Sequence, residues 1–152
     1  MKTEAQRGFT LIELVVVIAL LGILAAFAIP RFASLESEAR SAVVQGLSGS
    51  IRSAAAMAHG LELAGATPVV MEGNTITMVG GYPDAATIVN TLADVSGFDA
   101  PVVVPAAGAV PGTSTISKSG APGACEVVYT EASGGAPPVS YTHLTLPTKV
   151  LV

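Results

Sequence analysis

The chain has no tryptophan and one cysteine; aromatic residues make up 5% and charged residues 12% of its 152 positions. A single cysteine, Cys125, excludes an internal disulfide framework and any Cys-x-x-Cys metal or redox motif. The two histidines, His59 and His143, stand far apart and give no zinc-ligand spacing. Basic residues are scarce beyond Gly60, where Lys118 and Lys149 stand against Glu62, Glu72, Asp84, Asp94, Asp99, Glu126 and Glu131. With a formal net charge of −4, such a surface repels a phosphate backbone, so nucleic acid is not an expected partner. There is also no Gly-x-Ser-x-Gly elbow, no P-loop and no dinucleotide fingerprint, so no catalytic constellation and no cofactor are expected. His59 reads as a solvated or capping residue, and Asp94 and Asp99 read as surface acids. No EF-hand pattern supports a calcium site.

Apolar residues are abundant, at 51% of the chain. Much of the excess lies in one run of 21 residues, Phe9–Ile29, interrupted only by Thr10, Glu13 and Gly22. About 20 such residues span a hydrocarbon core as a helix. Lys2 and Arg7 precede the run, which places the N-terminus in the cytoplasm by the positive-inside bias. The main competitor, a secretory signal peptide, would have a shorter apolar core and a small-residue cleavage site at its far end. Glu13 is the anomaly. An ionised carboxylate deep in a bilayer costs roughly 2.5–3.5 kcal/mol on insertion scales. It must therefore snorkel to the interface or find a partner charge, and Arg7 is poorly spaced for that. Cleavage after Gly8 would create an α-amino group on Phe9 that could pair with Glu13 of the same or a neighbouring chain.

The stretch "GFTLIELVVVIALLGILAAFAIPRF", Gly8–Phe32, resembles the type IV prepilin signature: a short basic leader ending in Gly, then Phe, then Thr-Leu-Ile-Glu, then an apolar helix. The resemblance implies that a membrane prepilin peptidase removes residues 1–8 and methylates the new N-terminus on Phe9. It also implies that Glu13 neutralises the amine of an adjacent subunit and sets axial register. The implied partners are identical or related pilin subunits, the peptidase, and the pilus assembly machinery of the inner membrane. The implied location is a single-pass inner-membrane protein that later enters an extracellular filament.

Pro30 and Gly22 are the expected soft points of the helix, Pro30 because it lacks an N–H and crowds the carbonyl of Ala26. Residues 9–29 are assigned to the membrane and filament core. After Pro30 the pattern turns amphipathic over residues 30–60: Leu35, Ala39, Val43, Leu47 and Ile51, then Ala54, Ala55 and Ala58, predict one buried stripe, with Gly60 as the stop. Residues 61–138 form the expected head. Pro68–Met71 and Thr75–Val79 predict a hairpin about Gly73-Asn74. Tyr82-Pro83 predicts a turn, and Asp84 an N-cap for a short helix Ala85–Leu92. The Pro- and Gly-rich stretch that follows reads as mostly loop with a strand at Val102–Val104, and Cys125–Ala132 as another strand. The fold class is therefore α+β, a long helix packed on a small, mainly antiparallel sheet; the resemblance implies the type IV pilin fold. "GYPDAAT" and "CEVVYTEA" are also similar to the mannose-sensitive haemagglutinin pilin group.

The tail, residues 139–152, breaks the local Ala/Gly/Pro character. "VSYTHLTLPT", Val139–Thr148, resembles a translation of the transposase adapter used in short-read DNA libraries. The native reading is expected to stop near Pro138. In the pilins that the chain resembles, a cysteine at the start of a late strand pairs with one near the C-terminus, so Cys125 is a disulfide candidate whose partner is missing. The reading is a pilus subunit without enzymatic activity, with a pseudopilin of a type II secretion system as the near alternative. An anchored periplasmic enzyme or binding module is the alternative of another class.

Overall fold

A computed structural model describes residues 9–121 and 124–144, the side chains of residues 30–34 excepted. The leader and Gly8 lie outside the described residues, as does the tail beyond Leu144. The chain divides into two units, Met1–Glu38 and Ala39–Val152. In the first unit, helix α1 (Leu11–Leu63) begins with a 19-residue apolar span, Leu11–Ile29, with no buried residue among those described. The helical assignment continues through Gly22 and Pro30.

In the second unit, α1 buries Val44, Leu47, Ser48, Ile51, Ala54, Ala55 and Ala58. The expected four-residue stripe is corrected at its start: Leu35 is exposed, and Val43 is 45% exposed while Val44 is fully buried. A step of four residues overshoots a 3.6-residue turn, so a strict four-residue repeat rotates off the packed face. The stop is corrected as well. Gly60 is helical, and the helix ends in a Schellman motif about Gly65, whose φ is +90°. There the Ala66 N–H donates to Leu61 O at 3.0 Å and the Gly65 N–H to Glu62 O at 2.9 Å.

The first hairpin pairs β1 (Val69–Met71) with β2 (Asn74–Ile76) across a Glu72-Gly73 turn, both residues at positive φ. The turn thus falls one residue before the expected Gly73-Asn74. The predicted strand Thr75–Val79 is broken at Thr77, whose N–H donates to the Thr87 hydroxyl at 3.1 Å and whose carbonyl accepts the Asp84 N–H at 2.8 Å. The chain then forms a second hairpin, β3 (Met78–Val79) with β4 (Tyr82–Pro83), so Tyr82-Pro83 is strand rather than turn. Asp84 accepts the Thr87 N–H at 2.7 Å, but it is not the N-cap expected of it: only a 3₁₀ turn forms, Ile88–Thr91, with Thr87 as its N-cap, in place of the helix predicted for Ala85–Leu92.

The main sheet has four antiparallel strands in sequential order: β5 (Val102–Val104), β6 (Thr113–Ser117), β7 (Cys125–Thr130) and β8 (Val139–Leu144). Its inner face packs on the helix of the same unit. Val44, Leu47, Ile51 and Ala55 meet Ile88, Ile116, Val127 and Tyr129 in one core. A smaller cluster joins Ala58 to Val69, Met71 and Ile76. The fold is α+β, with a long N-terminal helix and small antiparallel sheets, as in type IV pilins. β6 falls in the stretch read as loop, because Thr-Ser-Thr-Ile-Ser carries a single large apolar residue. β8 occupies part of the expected non-native tail. Ladder bonds come from the backbone and Val-Ser-Tyr-Thr-His-Leu alternates acceptably, so pairing there is indifferent to where the sequence came from.

Candidate functional site: the capped start of the apolar helix

Phe9 and Thr10 precede the first helical residue, and Thr10 is the N-cap: its carbonyl accepts the Leu14 N–H at 3.3 Å. The Thr10 hydroxyl accepts the Glu13 N–H at 3.3 Å, and the Glu13 Oε2 accepts the Thr10 N–H at 2.8 Å. This is a capping box, a reciprocal satisfaction of two helix-end donors. The Thr10 hydroxyl also donates to Glu13 Oε2 at 2.6 Å. The carboxylate therefore sits at the positive end of the helix dipole, where negative charge is favoured. The large apolar side chains of the span are exposed, among them Leu11 at 79%, Val15 at 47% and Ile29 at 67%. The Thr-x-x-Glu pattern alone was sufficient to find this cap, and Thr10 is the site residue that the sequence reading missed.

The other singled-out residues lie elsewhere. Gly22 has open space over its Cα. Cys125 is half-buried at the start of β7, opposite Leu144 of β8, and the chain holds no second cysteine. His59 is corrected from a solvated or capping residue to a packed one. Its ring stacks on Tyr82 at 4.2 Å, and its Nδ1 lies 2.6 Å from the Gly81 carbonyl, to which it donates. The helix passing Gly60 and the Gly80-Gly81 turn together create that contact. His143 stands opposite Glu126 in the β7–β8 register. Asp94 caps a local turn; the Ser96 N–H, then the Ser96 hydroxyl, hold its carboxyl below the usual range. The Asp99 carboxylate accepts the Ser119 hydroxyl at 2.6 Å. Among the described residues no three His, Cys, Asp or Glu side chains gather as metal ligands would.

One buried carboxylate went unnoticed in the sequence. Glu131, 7% exposed, accepts the Gly112 N–H at 2.8 Å and the Ala85 N–H at 3.0 Å, tying three loops of the head together. No sequence pattern announces it, because its partners are backbone amides 46 and 19 residues away.

The family model that matches the chain, over residues 5–29, is that of the prokaryotic N-terminal methylation motif. The chain is 50% identical over 52 residues to the type IV narrow pilus major component of Thermus thermophilus, a match covering 34% of this chain and 45% of that protein. It is 41% identical over 69 residues to the type IV major alpha-pilin of Moraxella bovis, covering 45% and 42% of the two chains. It is 45% identical over 49 residues to a type IV major fimbrial protein of Dichelobacter nodosus, covering 32% and 31%. The chain covers less than half the length of these relatives, and no solved structure matches it. The matched region is the N-terminal segment, which is similar to that of type IV pilins.

Proposed function

We propose that the chain is a structural subunit of a type IV pilus, with no enzymatic activity of its own. The observation that carries this is a capped helix start at Thr10 and Glu13, immediately after the Gly8-Phe9 junction and leading into a fully exposed apolar span. The prepilin peptidase cuts after Gly8, and Phe9 receives the methyl group. Before assembly the span lies in the inner membrane with Lys2 and Arg7 on the cytoplasmic side. After extraction by the assembly machinery it is buried against the same span of identical or related subunits, because water does not tolerate it. Pro30 and Gly22 are where the helix bends to fit. Glu13 pairs with the amine of a neighbouring subunit and fixes its height, as one buried polar residue fixes coiled-coil register. A contact repeated head to tail without closure yields a fibre.

The relatives carry the names of pilus and fimbrial components, so neither a pseudopilus nor an anchored periplasmic enzyme has an observation on its side. The test is expression in a piliated host lacking its own major pilin, followed by mass spectrometry of the N-terminus and immunoblotting of sheared filaments. The mature chain should begin with methylated Phe9. Glu13→Ala should be cleaved normally yet yield no filament. An intact leader, or normal filaments from Glu13→Ala, would refute the reading. Residues 139–152 are in our reading non-native, and Cys125 is a disulfide candidate with no second cysteine in the sequence. Resequencing the source DNA through the Pro138 codon with a different library chemistry should replace "VSYTHLTLPT" and bring a cysteine. Recovery of the same tail sinks that idea.

A further inference from the structure

We draw no further inference here: the strongest candidate, the open groove of about 560 Å³ lined by Gly46, Gly49, Ser50 and Ser53 of helix α1 and by Met71 and Glu72 of the first hairpin, rests on a stripe of small residues, and nothing in the structure shows what covers it.

Discussion

Replacing Glu131 should unlock the head of the molecule. Its carboxylate is 7% exposed and is the acceptor for two amides, those of Gly112 at 2.8 Å and Ala85 at 3.0 Å, both on buried residues. Glu131→Ala strands both donors. A buried donor without an acceptor costs about 1–3 kcal/mol, so the pair costs about 2–6 kcal/mol. That is a large part of the roughly 5–15 kcal/mol that holds an ordinary domain folded. Glu131→Gln keeps one acceptor oxygen and turns a nitrogen toward the other amide, so it should cost about half as much. Gly112 is part of the same unit: a Cβ there would lie 2.8 Å from Glu131 Oε2 and 3.1 Å from the Ala106 nitrogen. Gly112→Ala should therefore cost about 1–3 kcal/mol through overpacking. Combined with Glu131→Ala it should cost less than the two single changes added, because part of the obstacle is gone. Urea unfolding of the detergent-solubilised full chain, followed by circular dichroism, measures all four variants. A Glu131→Ala variant within about 0.5 kcal/mol of the parent, the ordinary scatter for surface changes, would refute the reasoning.

Tyr129 supplies an alkaline counterpart. Its hydroxyl donates to the Pro83 carbonyl at 2.6 Å and titrates well above the usual tyrosine range, first because it is buried and then because Glu131 and Asp84 are negative nearby. A folded-state value above the unfolded one means full stability below about pH 10 and progressive loss above it, as the unfolded chain releases the proton and the folded chain keeps it. Tyr129→Phe should flatten that decline in pH-dependent melts; an unchanged alkaline decline contradicts the assignment. Gly46 and Gly49 sit mid-helix with nothing within 4 Å of an added Cβ. Alanine at each should raise stability by about 1 kcal/mol, read as a higher urea midpoint, and a lower midpoint would show that the sites are crowded after all.

The N-terminal chemistry was written in the sequence, because it is local. Length, hydropathy and the Gly-Phe-Thr-x-x-Glu spacing are read along one short stretch of sequence, and even the Thr10–Glu13 cap spans three residues. The α+β class and the β1–β2 hairpin were legible for the same reason, since helical periodicity and a turn glycine act at short range. Other features required the tertiary structure. Thr77 breaks its strand because Thr87, ten residues on, competes for its backbone. The helix outruns Gly60 because a flexible residue costs little when the flanking turns are packed, and Gly65 with its positive φ makes the sharper stop. β6 is a strand because β5 and β7 lie on both sides of it, a condition that Thr-Ser-Thr-Ile-Ser cannot state alone. Glu131 reads in sequence as one more surface acid, and only the folding of distant loops around it makes it a buried acceptor. The sequence by itself determined where the membrane-length apolar span lies and how that helix begins. The three-dimensional contacts decided which strands pair, where the helix ends, and which carboxylate the head depends on, because each of these depends on groups brought together from far along the chain.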